Sequence, residues 1–283
     1  MTPENEAVED LTGRVAVVTG ANSGIGLAAA LEFARRGWTL AIVGRDADRL
    51  HEALVAVREI NPAATAHQCD FASLDAVRDL AAALAKEHPR IDVLANNAGG
   101  ASPVRKATVD GFELTIQANH LAPFLLSNLL REPWRGGRII NTASDAHRGG
   151  TLDPDDLNCE HRKYTTLGIY GSAKQANILF AAEAARQWPD ILSTSYHPGI
   201  VRTRFGRDSA TYDFFYKRMP FLRTPEKGAE TMIWLAEADR SAITNGAYYV
   251  DKRERRPQAK AADPQLAARL WTASLAATAL TPA

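Results

Sequence analysis

The sequence predicts an α/β fold: one domain built on a doubly wound, mostly parallel sheet with helices on both faces. Three observations predict it. The strand-like segments are continuously apolar and β-branched instead of alternating, as in strands buried on both faces. Helix-like segments alternate with them along the chain. No internal repeat, low-complexity linker or composition break divides the 283 residues, a length that one large α/β domain accommodates.

Residues 1–12 read as an acidic N-terminal arm and 13–283 as the domain. Arg14–Thr19 is the first buried strand. The turn Thr19-Gly-Ala-Asn-Ser-Gly-Ile-Gly26 leads into a helix over Leu27–Arg36, which Gly37 ends. With the strand Trp38–Val43 these segments form a βαβ unit. Asp46 caps a helix over Ala47–Ile60, stopped by Asn61-Pro62. Ala64–Gln68 is a strand, and Ser73 caps a helix over Leu74–Glu87. Ile91–Ala95 is a short strand ending in Asn96-Asn-Ala-Gly-Gly100. Gly111–Leu130 reads as one long helix kinked at Pro123. Gly137–Thr142 is a strand, Gly149–Leu167 a polar surface excursion near the site, and the segment from Gly168 to Arg186 an Ala-rich helix. Strand Ile191–Tyr196, helix Thr224–Ala238 and strand Ala247–Val250 complete the series. The tail Ala273–Ala283 is small and weakly apolar and is assigned no role.

Composition narrows the function classes. Hydrophobic residues make up 46% and charged residues 23%, with formal net charge +0 and pI about 7.1. That balance argues against nucleic acid or an anionic membrane as partner. Two cysteines, Cys69 and Cys159, suggest neither a disulfide framework nor a metal site. The polar N-terminus is unlike a signal peptide. No uncharged apolar run reaches the roughly 18–20 residues needed to span a bilayer. The expected location is cytoplasmic.

Gly20, Gly24 and Gly26 lie between a strand and a helix. Glycines there permit a tight turn and close approach of a ligand to the backbone. The helix N-terminus offers N–H groups and positive potential to a pyrophosphate. The second strand ends in Val43-Gly44-Arg45-Asp46. An acid at that end accepts from a ribose 2′-OH and favours NAD, whereas an Arg accommodates a 2′-phosphate and favours NADP. Gly44 stands where the acid would be, Arg45 follows, and Asp46 reads as a helix cap, so NADP is expected. Asp70, after the third strand, is either an adenine contact or a loop turn.

Tyr170 and Lys174 are four apart on a helix and so share one face. A cation near a phenol favours the phenolate and lowers a pKa of about 10. Taken alone, the pair is also what any solvated helix can hold by coincidence.

The turn Thr19-Gly-Ala-Asn-Ser-Gly-Ile-Gly26, Asn96-Asn-Ala-Gly99, Asn119, Ser144 and Tyr170-xxx-Lys174 occur in that order. In this the chain, from about Gly13 to Asp251, resembles the classical short-chain dehydrogenase/reductases. His197-Pro198-Gly199-Ile-Val-Arg-Thr203, the run Gln117–Phe124, Gly246-Ala-Tyr-Tyr-Val-Asp251, Pro257 and Leu270-Trp271 resemble the retinol dehydrogenase-like branch. The resemblance implies a single-domain Rossmann fold of about seven strands. It implies hydride transfer between NADP(H), in preference to NAD(H), and a lipophilic ketone, aldehyde or alcohol.

By that resemblance Tyr170 is the general acid in reduction and the base in oxidation, and Lys174 tunes it and holds the nicotinamide ribose. Ser144 polarises the substrate oxygen, and Asn119 holds a water that links Lys174 to solvent. The cofactor is expected against Gly20, Asn22, Ser23, Gly24, Ile25 and Gly26, then Arg45, then Asp70 and Phe71. Asn97, Ala98 and Gly99, with Pro198, Gly199 and Thr203, complete its surroundings, and Asn96 supports the strand end. Ser144 and Tyr170 are 26 positions apart, a longer interval than in many members. Tyr164 is a rival tyrosine without a lysine four residues on. Leu27 is not basic, which leaves the NADP expectation to Arg45.

Residues 203–224 are expected to form a lid, with Phe205, Tyr212, Phe214, Phe215, Tyr216, Met219, Pro220 and Phe221. Phe205 and Phe215, with Ser144 and His147, are the substrate-side candidates, as pockets are mostly apolar with few polar anchors. His147 reads equally as a solvated loop residue. Two other readings exist on the same fold: a dinucleotide-binding redox sensor or scaffold, and a sugar-nucleotide epimerase. The retained Ser144, Tyr170, Lys174 and Asn119 argue against the first, and the short chain against the second. Monomer and homo-oligomer are both open.

Overall fold

The computed structural model describes residues 13–134, 136–201 and 222–281. The acidic arm, and lid residues Thr203, Phe205, Tyr212, Phe214, Phe215, Tyr216, Met219, Pro220 and Phe221, lie outside the described residues.

Strands β1 (Val15–Thr19), β2 (Thr39–Gly44), β3 (Thr65–Gln68), β4 (Val93–Asn96), β5 (Arg138–Thr142), β6 (Leu192–His197), β7 (Tyr248–Val250) and β8 (Arg253–Arg255) form one sheet. Its order is β3-β2-β1-β4-β5-β6-β7-β8. All neighbours pair in parallel except β7 and β8. The eighth strand exceeds the predicted count. It is short, edge-lying and charged on every residue, which protects an edge but leaves no apolar signal.

Successive strand residues face opposite sides. In β1, Ala16 and Val18 enter a core with Phe33, Trp38, Leu40 and Met232. Val17 enters the opposite core with Leu80, Leu94, Phe124 and Phe180. Both faces are covered, and that is why the strands read as unbroken apolar runs.

Helix α1 (Gly24–Arg35) starts earlier than predicted and ends before Gly37, whose φ of 83° is the left-handed region. Asp46 caps α2 (Ala47–Arg58) by accepting from the Arg49 N–H at 3.0 Å, and Ser73 caps α3 (Leu74–Glu87). The predicted long helix is composite and is called α4 here: Leu114–Ile116, a π turn Gln117–Leu121, then Ala122–Leu129. The distortion thus precedes Pro123 instead of centring on it. Pro123 has no N–H to give the carbonyl four residues back, and the wider π turn, closed by Ala122 N–H to Gln117 O, absorbs the mismatch.

Helix α5 (Thr166–Gln187) crosses β5 and β6, and α6 (Pro225–Glu237) packs on α1. The excursion before α5 is not confined to the surface: Leu152, Leu157 and Cys159 are buried with Ile169, Ala173 and Leu270. The C-terminal tail also has a structural role. Helix α7 (Pro264–Ala277) is capped by Asp263 and lays Trp271 5.0 Å from the rings of both Phe124 and Trp188. His120, in the π turn, meets Ser274 of α7 at 2.8 Å. No helix among the described residues is long and apolar enough to cross a membrane.

Phe124 is fully buried at the centre of this aromatic cluster. Phe124→Ala lowers stability by about 3–5 kcal/mol in urea unfolding. Leu167→Ala, at a position 68% exposed, shifts it by no more than about 0.5 kcal/mol.

Candidate active site

The sheet order reverses between β1 and β4, and both strands end at the same edge. A crevice at such a switch point is where open α/β sheets bind ligands. Thr19, at the end of β1, organises it. Its hydroxyl donates to Ala95 O at 3.1 Å and accepts from the Asn97 and Ala98 N–H groups, each at 3.0 Å. The Asn97 amide nitrogen returns to Thr19 O at 3.0 Å. Asn96 is tied into the sheet, its amide reaching Ser127 and Asn141 at 3.1 Å. These contacts press the two strand ends together. A Cβ on Gly20 would stand 2.8 Å from the Ala98 Cα, and one on Gly26 would overlap Gly20 O.

Ser23 is extended and makes no side-chain cap on α1, whose first turn holds no acid. The first N–H groups of a helix have no partner within it and carry positive potential. The glycine-rich turn and uncapped helix suit a pyrophosphate, so the residues present fit a dinucleotide. Ile25 contributes backbone only, since its side chain packs toward Gly228 of α6. Asn22 fills the space beside Gly44, where an added Cβ would meet it at 3.1 Å. Arg45 is exposed, and no carboxylate among the described residues pairs with it. Asp46 is engaged in its cap. Asp70 makes the loop turn, accepting from the Ala72 N–H at 3.0 Å. Phe71 buries its side chain in the core, so only its backbone is offered.

The second half of the site lies past β5. Gly171, next to Tyr170, packs backbone against backbone on the turn after Ser144. A Cβ there would lie 2.6 Å from Ala146 O, and one on Gly150 would lie 2.6 Å from Gly171 O. That contact brings α5 onto the Ser144 turn. The Ser144 oxygen accepts from the Ala146 N–H at 3.2 Å, which leaves its proton to donate. Lys174 is 3% exposed, and its Nζ stands 5.4 Å from the Tyr170 ring centre. It donates to Thr142 O at 3.0 Å, a carbonyl that also accepts from Asn177 Nδ2 at 3.0 Å. Burial lowers the Lys174 ammonium to about 7.

Asn119 is positioned by the π turn. Its Nδ2 donates to Gly100 O and Thr115 O, each at 2.7 Å, while its buried Oδ1 has no hydrogen-bond partner among the described residues. A Cβ on Gly99 would overlap that Oδ1 and lie 3.4 Å from Lys174 Nζ. Asn119 and Lys174 therefore converge on one small space that glycine keeps open.

One sequence expectation changes. His147 is fully buried, with Nδ1 on Ser144 O at 2.7 Å and Nε2 on the Gln258 N–H at 3.2 Å. Both ring nitrogens are occupied by backbone, so it is neither a substrate contact nor a solvated loop residue. Tyr164 donates to Ser102 O at 2.9 Å, and burial pushes it up to about 12. Pro198 is buried, and Gly199, at φ 85°, lies under the Arg223 side chain, which pairs with Asp251. Thr203 lies outside the described residues. The sequence reading missed Thr19, Thr142, Asn177 and the Gly150–Gly171 contact. Asn177, one turn past Lys174 on the same face, was within its reach.

A family model described as short chain dehydrogenase matches residues 14–212. A Streptomyces sp. (strain C5) protein, provisionally named a daunorubicin C-13 ketoreductase, is 52% identical over 94% of this chain and 93% of its own length. Human retinol dehydrogenase 13 is 36% identical over 93% of this chain and 84% of its own. A crystal structure of an uncharacterised Mycobacterium paratuberculosis protein superposes with TM-score 0.79 at 30% identity, covering 96% of each chain. A Burkholderia cenocepacia J2315 short chain dehydrogenase in complex with NADP superposes with TM-score 0.67 at 26% identity, over 84% of this chain and 96% of that one.

Burial of Lys174 also predicts a pH dependence of stability. Burial moves the release of this proton in the folded chain to about pH 7, from the ordinary lysine value of 10.5 that the unfolded chain keeps. Between those values the unfolded state holds more protons, so stability rises with pH. Lys174→Met removes the charge, and Asn177 still satisfies Thr142 O. Its stability relative to the parent is greatest below pH 7 and falls steadily toward pH 10 in urea melts. A pH-independent difference contradicts this.

Proposed function

The chain belongs to the short chain dehydrogenase family, and from that premise we propose that it interconverts a lipophilic ketone or aldehyde and its alcohol using NADP(H). The family is one of oxidoreductases that act on carbonyl and alcohol groups and bind nicotinamide dinucleotides. The observation that carries the proposal for this chain is the convergence of buried Lys174 and Asn119 Oδ1, which has no hydrogen-bond partner among the described residues, on Gly99, with the Tyr170 ring centre 5.4 Å from Lys174 Nζ.

A reduced nicotinamide, when bound, supplies a hydride for the carbonyl carbon. The chain's own residues handle everything else. The glycine turn and uncapped α1 hold the pyrophosphate, and Thr19 keeps the Asn97–Gly99 segment in place beside it. Ser144 donates to the substrate oxygen while its own oxygen is fixed by the Ala146 N–H. Tyr170 gives its proton to that oxygen in reduction and takes one in oxidation. Lys174 attracts the negative charge that develops on the Tyr170 oxygen, strongly because Lys174 is buried. Asn119 Oδ1 and Lys174 Nζ leave room at Gly99 for the small donor that resupplies the proton. Proton transfer by a positioned group contributes about 10²–10⁴-fold.

Two features support NADP(H) over NAD(H). Arg45 is exposed just past β2, with no carboxylate paired to it among the described residues, and the nearby acid, Asp46, is committed to its helix. A lipophilic substrate is supported by the relatives' names and by Leu167. That residue is 68% exposed one turn ahead of Tyr170 on the same helix face.

Tyr170→Phe abolishes NADPH-dependent reduction of a quinone and ketone panel, read as absorbance loss, while NADPH still binds by fluorescence titration. Normal turnover in that variant sinks the mechanism. Arg45→Ala raises the KM for NADPH far more than that for NADH, and equal effects on both remove the case for NADP.

A further inference from the structure

The Ser144 turn carries two histidines that the proposed chemistry does not use. His147 follows Ser144 by three residues, and His197 ends β6. Both are buried, at 0% and 8% exposure. They converge on a single peptide unit, the one joining Ser144 to Asp145. Its carbonyl, Ser144 O, lies 2.7 Å from His147 Nδ1. Its N–H, from Asp145, donates to His197 Nδ1 at 3.3 Å. A trans peptide points its C=O and N–H in opposite directions, so the two rings stand on opposite edges of that plane.

The partners dictate each ring's protonation. A carbonyl can only accept, so His147 Nδ1 carries a proton. Gln258 donates its backbone N–H to His147 Nε2 at 3.2 Å, so that nitrogen carries none. His197 is the reverse: Nδ1 accepts from Asp145, and Nε2, 3.8 Å from Asp145 Oδ2, carries the proton. Each ring is required to be neutral, in opposite tautomers.

We propose that His147 and His197 are positioning residues for Ser144, clamping the Ser144–Asp145 peptide as two neutral imidazoles, so that protonation of either ring sets donor against donor and releases it. This rests on the function proposed above. The plane of that peptide sets the backbone angle of Ser144, and hence where its hydroxyl points. The Gly171 contact holds the same turn from α5. Tyr248 backs it, donating to Asp145 Oδ1 at 3.4 Å with its ring 5.3 Å from that of His147.

The surroundings keep the rings neutral. Burial lowers the pKa of both. Arg148 lowers that of His147 further, and Arg223 and His147 that of His197. The Ser144 carbonyl bond and then Asp145 oppose the shift at His147, and Asp145 and Asp251 oppose it at His197.

The experiment has two arms. In the first, ring-nitrogen spectra of histidine-labelled protein are read at pH 8 without substrate. Nδ1–H at His147 and Nε2–H at His197 are expected; either opposite tautomer, or a histidinium at pH 8, overturns the clamp. This arm needs no turnover, so it stands if the oxidoreductase reading fails. In the second, kcat for phenanthrenequinone with NADPH is followed against pH. His147→Asn can still donate to Ser144 O, and His197→Asn can still accept from Asp145. Neither titrates, so both keep most of kcat at pH 8 and lose less of it on acidification than the parent. His147→Leu and His197→Leu lower kcat by up to about 100-fold, with the NADPH dissociation constant unchanged. Full kcat in the Leu variants, a parental acid limb in the Asn variants, or a parallel loss of kcat and NADPH binding overturns the proposal.

Discussion

The buried Lys174 ammonium, 3.0 Å from the Thr142 carbonyl, is the constraint on which the site depends. Desolvation favours its neutral form, so the fold must supply what makes the charge tolerable. The end of β5 supplies one carbonyl, shared with Asn177. The Tyr170 ring face lies on the same helix side. These partners reduce the cost without removing it, since burial still lowers Lys174 to about 7. A cation held this way responds strongly to a negative charge forming beside it. That responsiveness, more than the charge itself, is what acid–base chemistry near neutral pH requires.

Placing that cation correctly takes close backbone approach, which glycine alone allows. Gly20 against Ala98, Gly99 against Asn119, and Gly171 against Ala146 are separate contacts, and each joins a different pair of chain segments. Thr19 adds a hydroxyl with three backbone partners at the point where β1 and β4 end together. The crevice is therefore held by close main-chain contacts together with the Thr19 hydroxyl and the Asn96 and Asn97 amides.

Most of the sheet was legible because burial on both faces imposes a pattern on the residues themselves. Val15–Thr19 and Thr39–Gly44 carry it within five and six residues. Caps at Asp46 and Ser73 were legible for the same local reason. What was missed is long-range or unpatterned. Arg253–Arg255 is a strand only because β7 offers an edge. The π turn answers both to Pro123 and to the demand that Asn119 face Gly99, and the second demand is not written nearby. The Gly150–Gly171 contact joins residues from two segments that the sequence keeps apart. Helix α7 was missed as well: Asp263-Pro264 is a start signal, but its apolar face makes sense only against Phe124 and Phe180.

The site also concentrates the departures from local rules. Asp46, Ser73, Thr165, Thr224 and Asp263 cap α2, α3, α5, α6 and α7, whereas α1 has no side-chain cap. Lys174 is a buried cation, Asn119 leaves a buried oxygen unpaired, and α4 widens into a π turn. Each lowers stability where it stands, and all gather at one edge of the sheet. Folding alone gives no reason for the missing cap at α1, because the same sequence caps α2, α3, α5, α6 and α7 with side chains. Ligand binding and proton transfer do give one. An uncapped helix end, a responsive cation and an unpaired acceptor are what those tasks consume.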